Sequence, residues 1–266
     1  ACISIFAVVL ICVFMFGNGI PAIRNIGFID FLFGDVWRPS SDIYGIFPMI
    51  IGSIYVTVGA MFIGVPIGVL CAIFMAYFCP ERMYRILKPA IDLLAGVPSI
   101  VYGFFGLVVI VPIMQLVYGG SGKSILTASI LLGIMILPTI VSVSEAALRA
   151  VPKSYYEGAL ALGATHERSV FFTVLPAAKS GVFAAIILGI GRAIGETMAV
   201  NMIAGNQSVI PRHMSDGVRT WTANIVTEMG YATGLHRESL IATAVVLFVF
   251  ILIINVSFMT IKRLND

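Results

Sequence analysis

Charge is scarce in this 266-residue chain: Asp, Glu, Lys and Arg together make up 11% of it. A soluble domain carries about 25%. The 59% hydrophobic content and the mean hydropathy of +1.04 belong instead to a polytopic membrane protein. Cysteine is sparse too. Cys2, Cys12, Cys71 and Cys79 sit in or beside apolar runs with no CxxC spacing, so they read as small buried residues rather than a disulfide framework. His166, His213 and His236 are scattered through separate polar segments and offer no metal-ligand spacing. The chain opens without Met and without basic residues before its first apolar run. That run is expected to be a truncated span rather than a signal peptide.

Nucleotide motifs are also missing. Gly119–Ser124 reads GGSGKS, but a P-loop needs glycine where Val117 stands, and no strand precedes it. It is expected to be a polar turn. Gly189-Ile-Gly191-Arg-Ala-Ile-Gly195 is one residue too long for GxGxxG and lies inside an apolar run. The chain is therefore expected to bind no cofactor of its own, and nothing points to nucleic acid.

What is present is a set of apolar runs long enough to span a bilayer as helices. The sequence predicts an all-α membrane protein of six spans in one domain: Ala1–Phe16, Phe47–Phe78, Ile91–Val117, Ile125–Val143, Ala177–Ala204 and Leu240–Ile261. The 79–90 segment, the 144–176 segment with Lys179, and the C-terminus hold Arg82, Arg85, Lys88, Arg149, Lys153, Arg168, Lys179, Lys262 and Arg263. The opposite side holds Arg24, Arg38, Lys123, Arg212, Arg219 and Arg237. By the positive-inside rule the 144–176 side and both chain ends are cytoplasmic. The loops at about 17–46 and 206–239 are then external. Their aromatics, Trp37, Tyr44, Trp221 and Tyr231, read as membrane-surface residues or as a docking surface for a soluble partner.

Pro66, Pro98, Pro112 and Pro138 fall inside spans, where each removes a backbone donor and favours a kink. Gly64 and Gly68, and Gly191 and Gly195, form GxxxG pairs that permit close helix approach. Arg192 lies near the middle of the fifth span, where insertion of such a charge costs about 2.5–3.5 kcal/mol. Glu196 follows one turn later, and Thr197 adds a hydroxyl. A local i,i+4 pair contributes only about 0.2–0.5 kcal/mol, too little to explain two charges at that depth. The three residues are therefore candidates for a substrate path. Arginine's planar fork matches a tetrahedral oxyanion, and Glu196 would favour one that still carries a proton, as phosphate does at neutral pH. Asp92 reads as an interfacial acid near a span end.

Glu157–Pro176 is the one organised polar segment between apolar runs, with Pro152 placed to open a helix and Gly163 to break it. Tyr155, Ala159, Leu162 and His166 fall on one stripe. The segment is either a water-facing knob for a soluble partner or an amphipathic helix on the membrane surface. Glu157-Gly158-Ala159, then Gly163, then Leu175-Pro176 resembles the EAA loop of ABC-importer permeases, with Gly158 for the first Ala and Thr173 for the expected Ile. Gly191–Val200, Ala95–Gly103 and Gly45–Ser53 are similar to the fifth-, third- and second-span motifs of phosphate-transporter permeases, PstC-type rather than PstA-type.

The resemblance implies a type I importer (MetI-like) permease fold in a bacterial plasma membrane and an ATP-driven phosphate importer. It also implies a PstA-type second permease, two PstB-type ATPases that carry the ATP-Mg, and an external PstS-type binding protein. Within this chain it implies ATPase coupling through Glu157, Ala159, Leu162 and Gly163, and a phosphate path at Arg192 and Glu196. Rival readings keep the class with sulfate or molybdate as cargo, or make the chain an ion-coupled secondary transporter, a channel, or a non-transporting scaffold.

Overall fold

In hydrocarbon every backbone N–H and C=O must be satisfied within its own segment, which leaves helices for a chain this apolar. The computed structural model describes residues 2–265, leaving aside the side chains of Cys2, Met259 and 261–265. Ala1, where the first span was expected to begin, and the Lys262, Arg263 and Asp266 charges lie outside the described residues. In chain order the helices are α1 (Cys2–Ile26), α2 (Phe28–Phe33), α3 (Phe47–Ile73), α4 (Glu81–Gly96), α5 (Ser99–Phe105), α6 (Val111–Tyr118) and α7 (Ile125–Arg149). They continue with α8 (Lys153–Ala161), α9 (His166–Ser169), α10 (Leu175–Ala177), α11 (Lys179–Gly195), α12 (Met198–Ile203), α13 (Trp221–Met229) and α14 (Gly234–Asn265). Strands β1 (Trp37–Arg38) and β2 (Ile43–Tyr44) pair antiparallel between α2 and α3. Single π-helical turns occupy Phe74–Phe78, Gly106–Ile110 and Val170–Val174.

Among the described residues, five helical stretches are long and apolar enough to cross a membrane: Ile3–Ile26, Phe47–Phe78, Ser99–Tyr118, Ile125–Arg149 and Gly234–Phe258. His166–Ala177 and Lys179–Gly195, bent by 71°, make a sixth when taken as one span. Several expected boundaries move. The first span runs on to Ile26 and absorbs part of the 17–46 loop. The third begins at Ser99 rather than Ile91, because Val97 and Pro98 are extended and detach α4 as a separate helix. Proline lacks an N–H and pushes its predecessor out of helical conformation, so Pro98 ends α4. Pro66 and Pro138 do not break their helices, which run on through them. The fourth span extends to Arg149, so Glu145–Arg149, expected in the 145–176 loop, is helix. GGSGKS forms the turn into α7, where Ser124 caps the helix by accepting from the Thr127 N–H.

The centre of the bundle is the packing of α3 against α7. A Cβ on Gly64 would sit 2.8 Å from Ile136 and 2.9 Å from the Gly133 carbonyl, and one on Gly68 would sit 2.8 Å from Ile140. The close approach expected at Gly64 and Gly68 is thus present. At Gly191 and Gly195 it is not: a Cβ on either would meet nothing within 4 Å. α11 instead approaches α7 through Gly189, which faces Ile140.

The Ile125 end of α7 is closed by a buried network. Glu228, 5% exposed, accepts from Trp37 Nε1 at 2.9 Å and from Arg219 at 2.6 Å, and lies 2.8 Å from His236 Nε2. Trp37, Tyr44 and Trp221 are core residues here and not a surface belt, because the ribbon and α13 fold over them; Tyr231 stays exposed. Burial, and then the Asp42 carboxylate that accepts the Tyr44 hydroxyl, pushes that phenol up to about 12.

Two substitutions separate these forces. Gly64→Leu is expected to destabilise the folded transporter by about 1–3 kcal/mol through overpacking within this chain, as a lowered thermal midpoint in detergent, whereas Gly191→Ala meets nothing within 4 Å in this chain and is expected to lower it far less. Glu228→Leu strands Arg219, which is largely buried, and is expected to lower stability by about 3–5 kcal/mol, measured as loss of the folded transporter on heating in detergent.

Candidate functional site

The fifth span is where sequence reasoning and structure diverge most. It was expected as one helix over Ala177–Ala204, with Arg192 and Glu196 on the same face. α11 instead ends at Gly195, Glu196 is extended (φ −68°, ψ 131°), and α12 begins at Met198. Glycine is a poor helix former, and the two residues after Gly195 find better partners outside a helix. Glu196 Oε1 accepts from the Ala199 N–H at 3.3 Å, satisfying a donor that the start of α12 leaves free. The Glu196 carbonyl accepts from Thr222 Oγ1 at 2.9 Å, and Thr197 Oγ1 donates back to the Gly195 carbonyl. Arg192 and Glu196 are therefore close in sequence but form no ion pair among the described residues.

Arg192 occupies the last turn of α11, where unpaired carbonyls favour a cation. Its NH1 donates to Thr139 Oγ1 at 3.1 Å. Thr139, the residue after Pro138 in α7, was not singled out in the sequence, where a lone hydroxyl in an apolar run carries no signal. Counting residues along α7 at 1.5 Å each places Thr139 about 21 Å from the Ile125 end and about 15 Å from the Arg149 end. Arg192 thus sits near mid-depth, beside a broken helix. Guanidinium carries five N–H donors, and the bond recorded for Arg192 is to a neutral hydroxyl, so its charge is unmatched by this contact. Gly191 and Gly195 flank it with open space, leaving room for a group from outside this chain.

The α5 helix closes on the same break. Gly103 lies against α12, where a Cβ would be 2.9 Å from Ala199 Cα. Tyr102 Oη donates to the Leu94 carbonyl at 2.9 Å, spanning the Pro98 elbow.

At the Arg149 end, α8 holds Glu157 and Ala159 of the expected coupling residues, and the turn that follows it holds Leu162 and Gly163. Glu157 and Leu162 are exposed, Leu162 by 91%, and Ala159 is half-buried. Gly163 (φ +88°) stops α8: its N–H bonds the Leu160 carbonyl, and the Ala164 N–H bonds the Ala159 carbonyl. This double closure needs a left-handed residue, which glycine adopts without strain. The expected stripe over Tyr155, Ala159, Leu162 and His166 is cut there, and His166 belongs to α9. Beside it lies a second site that the sequence did not reveal. Glu145, 2% exposed, accepts from Tyr84 Oη at 2.7 Å and Arg149 Nε at 2.8 Å, and lies 3.2 Å from Lys88 Nζ. Glu145 and Arg149 had been read as loop charges; their i,i+4 spacing was the available clue. Asp92, expected at an interface, is half-exposed and 3.6 Å from Lys88.

Comparison with known proteins fits this architecture. Residues 64–266 match the family described as "Binding-protein-dependent transport system inner membrane component". The chain is 40% identical, over 96% of its length and 86% of the relative's, to the "Probable ABC transporter permease protein YqgH" of Bacillus subtilis. It is 32% identical, over 92% of its length and 81% of the relative's, to the "Phosphate transport system permease protein PstC" of Mesorhizobium japonicum. An inward-facing structure of the MetNI methionine ABC transporter aligns with a TM-score of 0.66 at 19% identity, covering 87% of this chain and 100% of that one, which is a likeness of fold. This multi-pass membrane protein belongs to the family of binding-protein-dependent transport system inner membrane components and has the fold of type I ABC importer permeases.

Proposed function

We propose that this chain is the PstC-type permease subunit of an ATP-driven phosphate importer and forms half of the phosphate path. The observation that carries the cargo is Arg192: a planar donor fork at mid-depth, at the break of the fifth span, held by a neutral hydroxyl rather than by Glu196. Discontinuous membrane helices gather their substrate sites at such breaks. The several phosphate permease relatives at about a third identity support the same cargo.

The Glu196 carboxylate is turned to the α12 backbone rather than to Arg192, which frees the guanidinium for an anion. A monoprotonated phosphate would accept from Arg192 and donate to Thr197 or Glu196. The second permease, of PstA type, would complete the site across the open glycine face.

ATP-Mg is assigned to partner ATPases of PstB type, seated on the exposed α8 surface at Glu157, Ala159, Leu162 and Gly163. The Arg149 end and both chain ends would then face the cytoplasm, with a PstS-type binding protein docking at the Ile125 end.

Three experiments in the assembled transporter test the reading. Arg192→Ala is expected to reduce phosphate uptake by at least 100-fold, in keeping with loss of about 3 kcal/mol from a charge-assisted contact, with ATPase association unchanged; undiminished uptake would remove Arg192 from the path. Gly163→Val is expected to unwind the α8 stop and release the ATPase subunits during purification, while the membrane bundle keeps its thermal midpoint. Competition by sulfate against phosphate in the uptake assay separates the rival oxyanion cargo.

A further inference from the structure

The route from α8 to the broken span is not the one that chain order implies. The helical segments joined at Ala178 are bent by 71°, so a push at α8 cannot run straight along one helix to Arg192. A second route is continuous. Tyr156 on α8 bonds His166 Nδ1 at 2.6 Å and packs its ring 5.7 Å from that of Tyr77. Tyr77 Oη donates to the Leu148 carbonyl at 3.3 Å, and Arg149 NH2 donates to the Met75 carbonyl at 2.9 Å, so the π-helical turn after α3 is tied to the end of α7. Arg149 then holds Glu145, and Glu145 holds Tyr84 and Lys88 of α4.

α4 has no fully buried residue, so few apolar contacts fix its place. It leads through the Pro98 elbow into α5, and Gly103 of α5 presses on α12 beyond the Glu196 break.

The charge balance around Glu145 permits two arrangements. Lys88 Nζ lies 3.2 Å from Glu145 and 3.6 Å from Asp92, and Ser142 Oγ stands 3.3 Å from it and 3.5 Å from Asp92. Glu145 keeps Arg149 and Tyr84 when Lys88 leaves it, and Lys88 keeps Asp92. The Glu145 charge stays paired with Arg149 through Oε1 in either position, whereas the buried Oε2 accepts no hydrogen bond among the described residues and has only the 3.2 Å Lys88 contact, so departure of Lys88 costs part of the pairing, which is restored when Lys88 returns. The Tyr84 phenol is pushed up, first by its hydrogen bond to Glu145, so it remains a donor throughout. Burial alone would lower the Lys88 ammonium, but the Glu145 and Asp92 carboxylates outweigh it and push it up, so it remains a cation.

We propose that Glu145 is a positioning residue that transmits movement of the α8 end to α4, and through the Pro98 elbow to the broken fifth span, by exchanging Lys88 with Asp92. The proposal rests on the ATP-driven permease reading but not on the identity of the cargo.

The test uses the whole transporter with its ATPase subunits, carrying serine at the four native cysteines and Leu93→Cys as a reporter. Leu93 is on α4 and 74% exposed. Maleimide labelling is measured without nucleotide and with ATP trapped by vanadate. The expected result is a labelling rate that changes at least fivefold between the two states in the parent. That change should vanish in Glu145→Gln and in Lys88→Met and return in Lys88→Arg, while all variants hydrolyse ATP within about twofold of the parent. Lys88 is 28% exposed, so its replacement spares the fold if Glu145→Gln does not. An equal nucleotide response in the variants, or no response in the parent, overturns the proposal, as does failure of both variants to assemble, which would make the cluster a structural brace only. A parent that moves α4 with ATP but takes up no phosphate would instead refute the cargo.

Discussion

The whole arrangement depends on how closely α3 and α7 can approach. In a bilayer there is no hydrophobic drive between helices, so association relies on intimate packing of small residues. Gly64, Gly68 and Gly133 supply it, and α11 joins the pair through Gly189. Because α7 is fixed in this way, its two ends can serve different purposes. Thr139 meets Arg192 partway along, and Glu145 meets α4 one turn from the helix terminus. A wider spacing between α3 and α7 would displace both sites together.

Much of this was legible in the sequence. The apolar runs foretold the spans, Gly163 foretold the end of α8, and the proline at 98 marked a break. Length and hydropathy report what can enter a bilayer, and glycine or proline reports where the backbone must change course. The break at Glu196–Thr197 was not legible, because neither residue is a strong helix breaker. Beside the weak helix former Gly195, it is held by a local bond from the Ala199 amide to the Glu196 carboxylate and a tertiary one from the Thr222 hydroxyl to the Glu196 carbonyl. The i,i+4 arithmetic that joined Arg192 to Glu196 assumed a continuous helix and failed with it. Glu145 was hidden for a similar reason: the acid looked like the start of a polar loop until the helix proved to continue to Arg149. At Pro66 and Pro138 the helix continues through the proline, as a membrane helix can when neighbours satisfy the freed carbonyl.

The distribution of charge also acquires a physical explanation. The described charges that enter the bundle are each met by a specific device: a helix C-terminus and a hydroxyl for Arg192, a backbone amide for Glu196, and networks for Glu145 and Glu228. Glu145 and Glu228 lie at opposite ends and differ in kind. Glu228 is enclosed by residues from the ribbon, the 206–220 segment, α13 and α14, whereas Glu145 is shared between two helices.

That difference makes the molecule mechanically lopsided. At the Ile125 end the Val218 amide bonds the Ala204 carbonyl at 2.7 Å, and the Ile125 and Leu126 amides bond the carbonyls of Asp216 and Met214, each at 3.0 Å. Together with the Glu228 network these ties make that end a stiff plate. At the other end, π-helical turns and an exposed amphipathic helix leave a compliant one. The Arg149 end is therefore the part of the molecule with fewer ties to resist a local opening, and the Ile125 end the part with more.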